Sequence, residues 1–159
     1  MRKFFYLFAA VALFAACSND DPDVVKDVTK PVISDGAMPS PVNCEVYKKG
    51  QTIPMRYFFS DDKELGGYII EIHNNFDHHS HSTSAGDCKL DAMKAPVKPF
   101  VYNKAFVIPK GTKTYDAKAD IQIPKDIDAG DYHFMIRLTD RSGWQQLKAI
   151  SIKIVDAAD

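Results

Sequence analysis

The chain has 159 residues and a mass of 17.8 kDa, with 45% hydrophobic and 26% charged residues. This length accommodates one domain of ordinary globular composition and excludes most Rossmann and barrel folds. The formal net charge of −1 and the absence of a Lys/Arg run argue against nucleic acid as a partner.

The N-terminus has the pattern of a bacterial lipoprotein signal. Two basic residues precede an uncharged apolar run from Phe4 to Ala16, which is too short to span a bilayer comfortably. The run ends in Ala15-Ala16-Cys17, which resembles a lipobox, although Phe14 replaces the usual aliphatic residue. We therefore predict a signal peptide over residues 1–16 and lipidation of Cys17. The alternative is plain secretion, in which Cys17 is not lipidated.

The segment that follows is predicted to be an acidic, flexible tether over residues 17–30, because it is polar and lacks apolar periodicity. Its first residues, Ser-Asn-Asp-Asp after Cys17, resemble the export signal of Bacteroidetes surface lipoproteins. The expected location is the bacterial outer membrane, with the protein lipid-anchored and surface-exposed. A periplasm-facing attachment is the alternative.

Residues 31–156 are predicted to form an all-β domain. Alternating apolar residues and β-branched or aromatic content indicate short strands separated by turns. In chain order these are Pro31–Ser34, Asn43–Tyr47, Thr52–Ser60, Gly67–His73, Phe100–Ile108, Ala117–Pro124, Tyr132–Thr139 and Gln146–Val155. Seven or eight such strands favour an immunoglobulin-like antiparallel β-sandwich.

One local pattern supports this fold. The segment from Asp128 to Phe134 resembles the tyrosine corner of immunoglobulin-like sandwiches, in which the Tyr132 hydroxyl would bond back to the backbone. Asp61, Asp62 and Asp140 lie beside predicted turns, where Asp commonly binds backbone N–H groups rather than metal.

Two cysteines remain if Cys17 carries lipid. An even number in an oxidising compartment favours a disulfide between Cys44 and Cys88. The alternative is that Cys88 is a thiolate ligand close to the histidines.

Two long strings resemble one family. They are IHNNFDHHSHSTS with the downstream Cys88, and GDYHFMIRLTDRSGWQ followed by ISIKI. Both are similar to the Bacteroidetes lipoprotein family of the domain of unknown function 4625, over about residues 30–155. The resemblance implies an immunoglobulin-like lipoprotein and carries no established activity.

The histidines form the most informative constellation. Four of the five, His73, His78, His79 and His81, lie within nine residues, with Asp77 among them. If the strand alternation places Tyr68 and Phe134 in the core, His73 and His133 both face outward. The third and sixth strands of an immunoglobulin-like sandwich are antiparallel neighbours, so the end of one lies beside the start of the other. All five histidines are therefore expected at one end of the domain.

This cluster predicts a transition-metal site. Imidazole is the commonest neutral metal ligand, and zinc is favoured, with copper second and nickel a further alternative. The expected ligands are His73, His79, His81 and His133. His78 and Asp77 are second choices, and one of them can orient a ligand. A polar surface loop without metal remains the alternative, since the spacing matches no named zinc signature.

Catalysis is not expected. His79-Ser80-His81 echoes the H-x-H of metallo-β-lactamase-like hydrolases, but the Asp-His pair that follows there is missing. No residues mark a nucleophile elbow or an oxyanion hole. The predicted function is metal capture or delivery, with an outer-membrane importer or another envelope protein as partner. The alternative is a non-catalytic surface module that recognises protein or glycan. The sequence leaves the oligomeric state open.

Overall fold

Eight strands in two sheets build the domain. The computed structural model describes residues 26–81 and 88–157. The strands are β1 (Val32–Ser34), β2 (Glu45–Lys48), β3 (Thr52–Ser60), β4 (Leu65–Asn74), β5 (Tyr102–Val107), β6 (Thr114–Gln122), β7 (Gly130–Asp140) and β8 (Gln145–Val155). One sheet has the order β1-β3-β6 and the other β2-β8-β7-β4-β5. The predicted all-β sandwich is confirmed. Within the described ranges, no helix has the length and hydropathy needed to cross a bilayer.

The core lies between the two sheets and follows the period-two alternation of the strands. In β3 every second residue is buried, and the same holds in β4 from Tyr68 to Ile72. Fully buried side chains come from both sheets and include Ile53, Met55, Phe59, Ile70, Ile72, Ile121, Tyr132, Phe134 and Ile136. The alternation that predicted the strands therefore also identified the faces that pack together.

All eight predicted strands are present, although the bounds of most of them differ from the prediction. The third coincides with β3, whereas the sixth begins at Thr114 and not at Ala117. The extension arises because Tyr115 and Asp116 continue the antiparallel ladder opposite β3. A second difference is that β2 runs parallel to β8, while every other pair of named strands is antiparallel. A long connection separates β2 from β8, so no tight turn imposes an antiparallel direction on this edge.

The predicted tyrosine corner is confirmed. Tyr132 is fully buried at the start of β7, and its hydroxyl donates to the Asp128 carbonyl oxygen at 2.7 Å. The same hydroxyl accepts the Phe100 N–H at 3.1 Å. One buried side chain thus fixes the entry to β7 and the entry to β5.

The predicted disulfide is also confirmed. Cys44 and Cys88 are bonded, with their Cα atoms 5.3 Å apart. The alternative in which Cys88 is a thiolate ligand is therefore wrong. Because Cys44 directly precedes β2, the bond attaches the long β4–β5 connection to the edge of the five-stranded sheet.

The predicted signal peptide, the lipidation site Cys17 and most of the predicted tether lie outside the described residues. The tether prediction extended to residue 30, but Asp27 is only 9% exposed. Its backbone carbonyl accepts the Trp144 indole N–H at 3.1 Å. Asp27 therefore packs against the sandwich, although it precedes residue 31, where the domain was predicted to start.

Candidate metal centre

The pairing of β4 with β7 brings the first two histidines together. His73 lies directly opposite His133 in the antiparallel register, and their ring centroids are 5.5 Å apart. Both residues alternate with core positions, so both lie on the outer face of the five-stranded sheet. The predicted proximity of His73 and His133 is confirmed. His133 is nevertheless only 1% exposed, because other side chains cover it.

The chain turns back over this face immediately after β4. The Asn75 N–H donates to the Asp131 carbonyl at 2.8 Å, and the His78 N–H donates to the Asn75 carbonyl at 3.3 Å. Phe76 is 3% exposed and packs edge-on against Tyr132, with ring centroids 5.3 Å apart. This buried aromatic contact anchors the turn, so the following histidines lie above His73.

Three imidazoles converge on one another. His73, His79 and His81 each offer a nitrogen within 4.8 Å of the other two. The Nε2 atom of His73 lies 2.9 Å from Nε2 of His81 and 3.3 Å from Nε2 of His79. A tetrahedral zinc ion with Zn–N bonds of about 2.05 Å separates its ligand nitrogens by about 3.3 Å. The two distances from His73 Nε2 are therefore close to those within a zinc coordination shell.

A carboxylate orients one of these imidazoles, and a second carboxylate lies near another. The Asp77 Oδ1 atom lies 2.5 Å from His79 Nδ1, and this hydrogen bond lowers the pKa of Asp77. Glu71 Oε1 lies 3.4 Å from His73 Nδ1, but the two atoms do not form a hydrogen bond. A carboxylate beside Nδ1 favours the proton there and leaves the Nε2 lone pair free for a metal. Asp77 was predicted either as a metal ligand or as a residue that orients one. Its position beside His79 fits the second of these roles.

Burial keeps the inner imidazoles neutral. Desolvation lowers the pKa of His73, although Glu71 opposes this effect. Desolvation also lowers the pKa of His133 to about 4. Both side chains are therefore uncharged at neutral pH, which is the form of imidazole that binds metals.

His133 lies beneath the triad formed by His73, His79 and His81. Its ring centroid is 5.0 Å from that of His79 and 4.7 Å from that of His81. However, its Nε2 atom lies 3.1 Å from the His79 carbonyl oxygen, to which a protonated Nε2 donates. In this arrangement His133 supports the backbone that carries a ligand. The structure does not include its nitrogens in the converging group.

His78 points away from the triad. It adopts a positive φ of 59° in the turn, and its Nε2 atom lies 2.9 Å from the Asp91 carbonyl oxygen. Its ring therefore joins the turn to the later part of the β4–β5 connection. The structure brings together three of the six predicted metal-site residues as potential ligands. It places Asp77 and His133 beside them and His78 outside.

Two contributors were not predicted from the sequence. Glu71 precedes His73 by two residues and shares its face of β4, so strand alternation was a signal that could have found it. Phe76 gave no such signal, because an aromatic residue in a polar loop can be buried or exposed. Its anchoring role depends on the tertiary contact with Tyr132.

Comparison with known proteins identifies the family. The model of the domain of unknown function 4625 (DUF4625) matches residues 15–155. This match covers most of the chain. The chain belongs to the DUF4625 family. No curated protein matches it significantly. The resemblance carried by the histidine string and the β7–β8 string is thus confirmed at the level of the family.

Proposed function

We propose that this DUF4625 protein is a lipid-anchored envelope protein that binds one transition-metal ion through His73, His79 and His81. Zinc is the favoured ion, with copper and nickel as alternatives. The observation that carries the proposal is the convergence of three Nε2 atoms at distances close to those of a zinc shell. The Asp77 carboxylate also contacts His79, and protein metal sites commonly contain a carboxylate that orients a histidine ligand in this way.

The arrangement suits capture and delivery. Three protein ligands leave one tetrahedral position open, and an incoming ligand from a partner can enter there. Two ligands lie on the connection after β4, while His73 belongs to the strand itself. An outer-membrane importer or another envelope protein is the proposed partner.

We propose binding without catalysis. Three-histidine zinc sites with an open position also occur in enzymes, where a base or acid assists the bound water. Here the two carboxylates beside the ligands, Asp77 and Glu71, both face Nδ1 atoms. Zinc-loaded protein is accordingly expected to show no hydrolysis of activated esters above that of free zinc.

The decisive experiment measures metal content and affinity. The purified full chain is loaded with zinc, dialysed and analysed by inductively coupled plasma mass spectrometry, and the metal-free chain is titrated with zinc and copper. One ion per chain is expected for the wild type, and none for the His79→Ala/His81→Ala variant. Binding is also expected to weaken as the pH falls, because the ligands must be deprotonated.

The matched control is His78→Ala, which removes a histidine from the same loop. Because the His78 ring bonds to Asp91 and not to the triad, this variant is expected to retain one ion. Equal losses in both variants would mean that the loop binds metal non-specifically. Absence of metal from the wild type in both assays would contradict the proposal.

Membrane attachment is tested separately. Cys17→Ser is expected to move the protein from the membrane fraction to the soluble fraction, and protease treatment of intact cells is expected to digest a surface-exposed protein. Protection from protease until the outer membrane is opened would support the periplasm-facing alternative.

A recognition module is the second candidate function. The observation that favours it is a groove of about 510 Å³ between the segment 35–40 and strands β3 and β6, lined by Met38, Pro39 and Tyr57 among others. Met38 is 83% exposed beside this groove. Under this alternative, protein or glycan binding persists when all five histidines are changed to alanine.

A further inference from the structure

Three carboxylates meet at the end of the sandwich opposite the histidines. Asp27 belongs to the N-terminal segment, Asp61 follows β3, and Asp140 ends β7. Each offers an oxygen within 4.8 Å of the other two. Asp140 is paired with Leu65 at the start of β4, whereas His73 is near the end of that strand. At about 3.3 Å per residue, the two clusters are about 26 Å apart along β4.

Backbone and side-chain donors hold each carboxylate in place. Asp61 Oδ1 accepts the N–H groups of Lys63 and Glu64 at 2.8 Å each. Asp140 Oδ1 accepts the Trp144 N–H, also at 2.8 Å. The sequence predicted such turn contacts for Asp61 and Asp140, and the structure confirms them. These contacts account for only one carboxylate oxygen of Asp61 and one of Asp140.

The second carboxylate oxygen of Asp61 and that of Asp140 have no donor among the described residues. The Oδ2 atoms of Asp61 and Asp140 are buried and accept no hydrogen bond from any described residue. Asp140 is only 4% exposed. Because Oδ1 is already bonded in both residues, Oδ2 is the oxygen that remains available for a ligand. A buried carboxylate oxygen without a donor is costly unless a cation compensates it.

The third carboxylate completes an anionic pocket. Asp27 Oδ1 accepts the Thr29 N–H at 3.0 Å, and its Oδ2 accepts the Ser142 hydroxyl at 3.1 Å. The Thr29 hydroxyl also lies 3.1 Å from Oδ1, so Oδ2 is the oxygen with a further lone pair that can bind a cation. Within residues 26–81 and 88–157, no Lys or Arg side chain forms an ion pair with these three carboxylates. Among the described residues, the clustered negative charge therefore has no ion-paired cation.

We propose that Asp27, Asp61 and Asp140 form a calcium site. Calcium takes six to eight oxygen ligands at about 2.4 Å, so oxygens on opposite sides of one ion lie up to about 4.8 Å apart. The three carboxylates are within this span. All three offer oxygen, which suits calcium and not the soft or borderline metals that imidazole prefers.

The ion would fix the N-terminal segment to the domain. Asp27 is already attached by the Ser142 hydroxyl and by the Trp144 indole, and a shared calcium adds the β3–β4 turn and the end of β7. Calcium at this site would therefore hold Asp27 against the end of the sandwich.

Trp144 provides a selective probe for the test. It is the only tryptophan of the chain, and its indole bonds to the Asp27 carbonyl. Terbium replaces calcium in oxygen sites and emits when a nearby tryptophan is excited. We expect tryptophan-sensitised terbium emission from the full chain, competed by calcium at about 0.1–1 mM, the range of extracellular calcium modules.

Two variants remove a ligand, and a third serves as control. Asp61→Asn and Asp140→Asn each remove one negative charge, and we expect each to weaken terbium and calcium binding about tenfold or more, since charge count tunes these sites. Asp116→Asn changes an exposed aspartate on β6 and should bind as the wild type does. The His79→Ala/His81→Ala variant should also keep full emission, which separates this proposal from the zinc site.

The outcomes are distinct. Absence of sensitised emission from the wild type, together with an unchanged melting temperature in 10 mM calcium, would overturn the proposal. Unchanged emission in Asp61→Asn and Asp140→Asn would also overturn it. If Asp140→Asn does not fold, the half-buried Asp61→Asn and the calcium-dependent melting temperature of the wild type decide the question.

Discussion

Removing the disulfide between Cys44 and Cys88 is expected to destabilise the domain strongly. The two residues are separated by 44 positions, so the bond closes a long loop in the unfolded chain. In the chain-entropy model, a loop of this length corresponds to about 4 kcal/mol of stabilisation at 25 °C. This is a large share of the 5–15 kcal/mol that typical domains possess.

Equilibrium urea denaturation of Cys44→Ser/Cys88→Ser measures this contribution, with Trp144 fluorescence as the signal. If the urea slope is about 2 kcal/mol per molar, the midpoint should fall by about 2 M. Cys17→Ser is the matched control and should leave the midpoint unchanged, because Cys17 has no part in the bond. A loss below about 1 kcal/mol would refute the argument that the bond acts mainly by restricting the unfolded chain.

The same variant tests how the histidine connection is held. Cys88 lies on the β4–β5 connection seven positions after His81, while Phe76 anchors the connection before His79. If both anchors organise the ligands, the serine variant should bind zinc more weakly than the wild type while still folded. Unchanged affinity would show that Phe76 and its contact with Tyr132 suffice.

Three further predictions concern single residues. Asp77→Asn should weaken zinc binding about 10–100-fold in a competition titration, because it removes the carboxylate that orients His79. Tyr132→Phe should cost about 1–3 kcal/mol in urea denaturation, since the buried Phe100 N–H loses its acceptor and the half-buried Asp128 carbonyl loses its donor. Asp128→Asn should flatten the acid side of the stability profile. Backbone N–H groups hold the pKa of Asp128 below its ordinary value of 3.8, so the unfolded chain takes up this proton first as the pH falls. The stabilisation is present above about pH 4 and is lost as the pH falls through the folded pKa, a loss that the variant should lack.

Matched variants serve as controls for these three. Asp120→Asn changes a carboxylate on β6 and should not affect zinc binding. Tyr102→Phe changes a half-buried tyrosine and should cost less than Tyr132→Phe. Asp116→Asn should keep the acid dependence of the wild type. If a control variant has the same effect as the variant with which it is paired, the contact proposed for that variant does not cause the effect.

The fold was predictable because the strands follow simple alternation. Along β3, and in β4 from Tyr68 to Ile72, the buried residues fall on every second position and are all apolar, so the pattern identifies both the strand and its buried face. β7 was harder to interpret, since it is buried on both faces for much of its length. The parallel pairing of β2 was not predictable, because four residues at an edge carry little information on direction.

The candidate site was predictable to the extent that it depends on strand register. The proximity of His73 and His133 follows from which residues of β4 and β7 are buried, and the pairing bears it out. Loop geometry has no comparable periodicity. The inward position of His79 and the outward position of His78 depend on a turn with positive φ and on the burial of Phe76. The sequence alone could not assign these roles.

The aspartate cluster escaped sequence analysis for a different reason. Asp27, Asp61 and Asp140 are far apart along the chain, and each has an ordinary local explanation as a turn or linker residue. Only the folded structure shows that the turn contacts of Asp61 and Asp140 occupy one oxygen of each carboxylate and leave the other buried without a donor. Local sequence patterns identify caps well, but they do not reveal the unpaired lone pairs that remain after capping.

The two clusters share one structural support. The paired strands β4 and β7 carry His73 and His133 at one end and Asp140 at the other, and their central residues belong to the main core. Each site therefore combines a rigid strand position with ligands from neighbouring segments of the chain. The two clusters share no residue and lie about 26 Å apart along β4, so we expect each ion to bind independently of the other. Each ion stabilises the same folded state by mass action, so the stabilising effects of zinc and calcium should add.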